Sequence, residues 1–149
     1  MQPIRKILVP VDFSDHSRKA FEEAVGLAKH FGAELILFHC YPIPTAGPAP
    51  YDTILPESYP TALRKAALEG VTKWRDEARA QGARAEGKIT AGYPPSQIAE
   101  LAEQSGADLI VMGTRGLTGL KHVLLGSVAE RTLRLAPCPV LTVKGSEAD

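Results

Sequence analysis

Apolar positions along the chain follow two patterns. Ile7-Leu8-Val9-Pro10-Val11 and Leu35-Ile36-Leu37-Phe38-His39 are near-continuous runs, the mark of strands buried on both faces. Asp108 to Met112 reads as a further strand and Pro139 to Val143 as a short last one. Arg84 to Thr90 alternates polar and apolar residues instead, which predicts an outer strand.

Between these runs the apolar residues recur at helical spacing. Phe21, Ala24, Val25 and Ala28 form one stripe that ends before Gly32. Ser14 or Asp15 is placed to accept the free N–H groups at its start, and Gly32 to stop it. Thr61 to about Gln81 carries Leu63, Ala67, Val71, Trp74 and Ala78 on one side. Gly70 weakens that helix by ~1 kcal/mol relative to alanine, and Trp74 reads as a core residue or an edge seal. Pro94 and Pro95 suit the first turn of a third helix, which carries Ile98, Leu101 and Ala102 and closes at Gly106. A fourth spans Val128 to about Leu135.

The order β-α-β-α-β-α-β-α-β predicts an α/β fold, a Rossmann-like open parallel sheet of five strands with helices on both faces. Residues 41–60 are the least regular part, with Pro42, Pro44, Pro48, Pro50, Pro56 and Gly47. They predict a long loop, either a plain surface connection or a flap over a site. Residues 145–149 form a polar tail.

Composition narrows the function classes. A chain of 149 residues fits a single domain over 1–149. Seventeen basic residues balance seventeen acidic ones. Neither half is basic, and aromatics are only 6%, so nucleic acid is not an expected partner. A zero net charge still allows a small basic pocket. The longest strongly apolar stretches have four or five residues, against the ~20 that a membrane helix needs. The run Met1 to Lys6 leads straight into a strand-like segment, so no signal peptide is expected, and the two cysteines, Cys40 and Cys138, make no disulfide scaffold. A cytoplasmic location with no membrane partner is the expectation.

One segment stands out, running from Gly113 to Val128. It begins where a buried strand ends and finishes in a helix start, the place where open α/β sheets hold ligands. Gly126-Ser127 at a helix start presents free N–H groups and the positive dipole end to an anion. Arg115 and Lys121 add cations, and no acid occurs before Glu130. This set of donors suits a di- or triphosphate. A glycine loop ending in an ordinary cap is the bland alternative. Neither the Walker A loop nor the G-x-G-x-x-G fingerprint is present. Asp12, at the end of the first strand, is placed either to accept from ribose hydroxyls or a base amino group, or to cap the first helix.

These residues resemble the ATP-binding branch of the universal stress protein family over nearly the whole chain. Gly113-x2-Gly116-x9-Gly126-Ser127 matches that branch's spaced-glycine pattern. Ile7 to Ser14, Leu37-Phe38-His39-Cys40 and Pro137-Cys138-Pro139-Val140-Leu141 are similar to its other signature segments. The resemblance implies strand order 3-2-1-4-5 and a homodimer paired through residues 140–143. It implies bound ATP, ADP or AMP, with a divalent cation such as Mg²⁺ or Mn²⁺ at the phosphates. It puts Pro10, Val11 and Asp12 at adenine and ribose, a backbone contact at Cys40, and Met112 and Gly113 on the base and ribose side. Gly116, Gly126, Ser127 and Val128 would hold the phosphates, with Arg115 as a further phosphate contact. Cys40 stands where the family pattern leads one to expect valine; a backbone contact survives that change.

The resemblance thus gives an adenine-nucleotide-binding regulator of stress survival. A slow ATPase, or a nucleotidyl or phosphoryl transferase, would need a positioned nucleophile and carboxylate-held Mg²⁺. Asp12 is the one obvious carboxylate near the crevice, and no base and no catalytic residue is assigned. An interaction protein without nucleotide is the remaining class, against which the intact glycine spacing speaks. No protein metal site is expected from His16, His30, His39 and His122, which lack ligand spacing. His39 reads as structural, and His122 as a residue of the phosphate segment.

Overall fold

The computed structural model describes residues 2–43, 59–116 and 124–145. The expectations for the proline-rich stretch 44–58, for Lys121 and His122, and for the tail 146–149 lie outside the described residues. The strands are β1 (Lys6–Pro10), β2 (Glu34–Tyr41), β3 (Arg84–Ala91), β4 (Leu109–Gly113) and β5 (Val140–Val143). The helices are α1 (Asp15–Phe31), α2 (Tyr59–Ala80), α3 (Pro94–Ser105) and α4 (Ser127–Leu135). Elements alternate as the hydrophobic pattern predicts, with boundaries moved by a residue or two.

The sheet is parallel, in the order β3-β2-β1-β4-β5. β1 lies at its centre, with Ile7 opposite Leu35 of β2 on one side and Leu109 of β4 on the other. The continuous apolar runs are explained by two cores. Ile7, Val9, Leu35, Leu37 and Val111 pack with Phe21, Ala24 and Val25 of α1 and Val71, Trp74 and Ala78 of α2. The intervening residues Leu8, Ile36, Phe38, Ile110 and Met112 pack with Ile98 and Ala102 of α3 and Ala129 of α4. A period of two therefore sends alternate side chains to opposite faces, and both faces are covered. β3 is an edge strand, as its sequence predicts, with Ala85 buried and Arg84, Glu86, Gly87 and Lys88 exposed.

Local signals set the helix ends. Ser14 is the N-cap of α1, its hydroxyl oxygen accepting from Ser17 N–H at 3.2 Å. Gly32 closes the same helix in the left-handed conformation at φ 65°, its N–H bonding Ala28 carbonyl. Trp74 is a core residue, 8% exposed.

Thr132 of α4 is fully buried, and its Oγ1 has no hydrogen-bond partner among the described residues. A buried hydroxyl left unpaired costs free energy that an apolar group of the same shape does not. Thr132→Val should therefore raise the unfolding free energy by about 1 kcal/mol in urea denaturation. A drop in stability would mean that the hydroxyl is bonded after all.

Candidate functional site

Strand order reverses between β1 and β4, so the connections leaving their carboxyl ends diverge and open a crevice. One side is the turn from β1 to α1. Val11 N–H donates to Phe38 carbonyl at 2.8 Å, which continues the sheet one residue past Pro10. Asp12 Oδ1 then accepts from both Ser14 N–H at 3.0 Å and Ser14 Oγ–H at 2.5 Å. Ser17 Oγ accepts from Asp12 N–H at 3.3 Å. Asp12 thus holds the capping serine rather than capping α1 itself.

The other side is built on β4 and α4. Thr114 N–H donates to Val143 carbonyl at 3.2 Å, and Thr114 carbonyl accepts from Gly126 N–H at 2.6 Å. Gly126 is the N-cap of α4 and supplies no side-chain bond. The first bond within the helix runs from Glu130 N–H to Gly126 carbonyl at 2.9 Å. The amides of Ser127, Val128 and Ala129 precede that bond, at the positive end of the helix dipole.

Each glycine of the spaced pattern answers to a close approach. A Cβ at Gly113 would lie 3.0 Å from the backbone carbonyl of His16. One at Gly116 would lie 2.6 Å from Asp12 Oδ2, and one at Gly126 3.2 Å from Thr114 carbonyl oxygen. The spacing therefore brings the β4–α4 segment against the β1–α1 turn.

A cavity of about 540 Å³ lies between the two sides. All the residues assigned from sequence line it: Pro10, Val11, Asp12, Cys40, Met112, Gly113, Arg115, Gly116, Gly126, Ser127 and Val128. Arg115 Nε is buried and has no hydrogen-bond partner among the described residues. Phe38, Pro94, Ile98 and Met112 add apolar surface.

A universal stress protein family model matches residues 3–144. The universal stress protein MJ0531 of Methanocaldococcus jannaschii is 39% identical over 140 residues, spanning 94% of this chain and 82% of its own. The chain belongs to the universal stress protein family. The solved structure of MJ0577, from the same organism, superposes with a TM-score of 0.84 at 27% identity, covering 99% of this chain and 100% of that one. A universal stress protein solved in complex with cAMP has a TM-score of 0.68 at 29% identity, covering 97% of this chain and 100% of its own.

In this universal stress protein the lining also includes residues that sequence reasoning missed. Pro94 and Ile98 belong to a helix whose apolar stripe reads as plain core, yet its first turns face the cavity. Ser17 sits one turn into α1. Glu130 follows directly on the acid-free stretch and lines the cavity too, its carboxylate accepting from Arg134 one turn further along α4 at 2.8 Å. Among the described residues no group of three or more His, Cys, Asp or Glu is placed to hold a metal ion. His39 is structural, its Nδ1 lying 2.7 Å from Val11 carbonyl oxygen.

Cys40 Sγ–H donates to Gly92 carbonyl at 3.2 Å, and burial pushes the thiol up from 9.0 to about 11. Burial, and then the charge of Asp108, also raises Cys138. The fold favours the neutral Cys40 thiol. Its stabilising contribution is present below pH 9.0 and is lost as pH rises through about 11. Alkylation of native Cys40 by iodoacetamide, followed by peptide mass spectrometry, should accelerate with pH about two units later than in the urea-unfolded chain. Equal profiles in both states would show that the thiol is not shielded.

Proposed function

We propose that this chain is an adenine-nucleotide-binding regulatory protein of the stress response, with ATP as its ligand and a homodimer as its working form. One observation carries the reading. The N-terminus of α4 opens on the cavity that Arg115 lines, and among the described residues no side chain caps that terminus and Arg115 Nε is buried without an acceptor. A buried guanidinium donor beside an open helix N-terminus favours an anionic ligand. Asp12, across the cavity, is the acceptor for ribose hydroxyls, and the apolar lining suits a purine face. On this reading Pro10, Val11 and the Cys40 backbone meet the base. Met112 and Gly113 flank base and ribose, and Gly116, Gly126, Ser127 and Val128 hold the phosphates. A divalent cation would travel with the phosphates.

The cAMP complex of a relative supports the nucleotide class and favours a second reading, in which a cyclic monophosphate occupies the same cavity. Calorimetric titration with ATP, ADP, AMP and cAMP separates the two. Gly126→Asp places a side chain and a negative charge at the helix N-terminus, and should weaken binding of the preferred nucleotide at least about a hundredfold. Unchanged affinity would overturn the site. Nucleotide released from denatured protein and resolved by anion exchange identifies the resident ligand.

The homodimer would form through residues 140–143, in a cytoplasmic protein whose nucleotide-binding domain spans residues 1–149. β5 is an edge strand, and its Leu141 is 41% exposed. An apolar edge of this kind is a ready surface for pairing. Leu141→Arg should shift the sedimentation mass from dimer to monomer; a dimer of undiminished stability would remove β5 as the interface.

A further inference from the structure

Phe13 is the one non-glycine residue with positive φ among the described residues, at 66°. A bulky side chain holds that conformation only where its surroundings over-determine it. The surroundings here lie behind the cavity. The Phe13 ring sits 4.6 Å from the His39 ring and 5.4 Å, edge-on, from Trp74. Its outer end rests on α2 at Gly70, where a Cβ would fall 2.6 Å from Cζ and 2.9 Å from both Cε atoms. The helix-weakening glycine thus has a packing reason. The ring has little room to retreat, because Trp74 is itself buried against Phe21 at 5.2 Å, with the Arg18 guanidinium 5.2 Å from its ring.

His39 anchors the neighbouring residue. Val11 carbonyl only accepts, so His39 Nδ1 carries the proton and donates to it at 2.7 Å. Both neighbours of Asp12 are therefore held from outside the cavity, Val11 by His39 and Phe13 by α2. Neither His39, Phe13 nor Gly70 lines the cavity.

We propose that the seat of the Phe13 ring on Gly70 positions Asp12, so that nucleotide affinity depends on where α2 lies against the β1–α1 turn. Phe13, Gly70 and His39 are positioning residues, and the proposal rests on the nucleotide-binding reading above. A methyl group at position 70 displaces the ring. The ring moves the Phe13 backbone, and the Asp12–Ser14 hydrogen bonds shift with it.

Gly70→Ala separates this role from plain packing, because alanine is the better helix former. Two readouts are taken on the full chain: ATP affinity by calorimetry, and the Ser14 amide resonance in ¹H–¹⁵N spectra, whose N–H donates to Asp12 Oδ1. Gly70→Ala should weaken ATP binding at least about tenfold, the loss of roughly one charged hydrogen bond, and should move the Ser14 resonance. Adding Phe13→Leu, which shortens the side chain, should restore part of both. Gly26→Ala is the control, since a Cβ there meets nothing within 4 Å, and it should leave both unchanged. Wild-type affinity with an unmoved Ser14 resonance in Gly70→Ala overturns the proposal. If the wild-type chain binds no ATP, the ligand reading fails. The Ser14 resonance then decides alone, its movement and rescue supporting the positioning role and its constancy overturning it. If Gly70→Ala does not fold, Phe13→Gly replaces it. Glycine adopts φ 66° without strain while deleting the anchor, so weaker binding and a moved Ser14 resonance support the proposal, and neither change overturns it.

Discussion

The burial of β1 between β2 and β4 is the constraint from which the rest of the structure follows. Its residues Ile7, Leu8 and Val9 are fully buried, alternating between a core with α1 and α2 and a core with α3 and α4. A strand buried on both faces and paired on both edges has a fixed register, because a slip of one residue would exchange the two cores. The chain leaves β1 in one direction through β2 and β3, and returns beyond it through β4 and β5. Divergence of the connections at the carboxyl ends of β1 and β4 makes a crevice unavoidable at that point. The cavity is thus a consequence of topology, and the side chains around it decide only what it accepts.

Two kinds of glycine then shape the molecule. Gly32 and Gly106 take left-handed φ values and end helices, with nothing near the position of a Cβ. Gly113, Gly116 and Gly126 have ordinary φ and are needed for space. Their neighbours are His16 carbonyl, the Asp12 carboxylate and Thr114 carbonyl. The spaced pattern is therefore a record of three close approaches, two to the distant β1–α1 turn and its helix start and one, Gly126 to Thr114, within the β4–α4 connection itself. Side-chain volume is excluded at those points, and backbone donors come within reach of whatever fills the cavity.

This distinction sets what was legible in the sequence. Strand and helix order could be read from periodicity, because double burial leaves continuous apolar runs and single burial leaves stripes. The Ser14 cap and the Gly32 stop could be read because their causes are local. The lining residues assigned by the resemblance fall on one cavity because a spaced motif encodes where two loops touch. Pro94 and Ile98 were not legible as lining, since an apolar helix residue looks the same facing a core or a cavity. Glu130 was not legible as lining, because which residues of the first turn of α4 border the cavity depends on how the helix is set against β4. Gly70 looked like a defect in α2. Its reason lies 57 positions earlier, in the ring of Phe13, and no local reading of α2 contains it.

The hydrogen bonds around the cavity show how edge and site are joined. Val143, at the end of edge strand β5, accepts from Thr114 N–H, and Thr114 in turn accepts from Gly126 N–H at the head of α4. The position of the α4 amides is thus referred to the sheet edge through two backbone bonds and no flexible side chain. On the opposite side Asp12 is referred to α2 through Phe13 and to β2 through His39. A molecule seated between Asp12 and α4 would therefore touch two assemblies anchored at different parts of the sheet. Its binding energy depends on their separation, and any change at β5 or α2 that alters that separation acts on the cavity without contacting it.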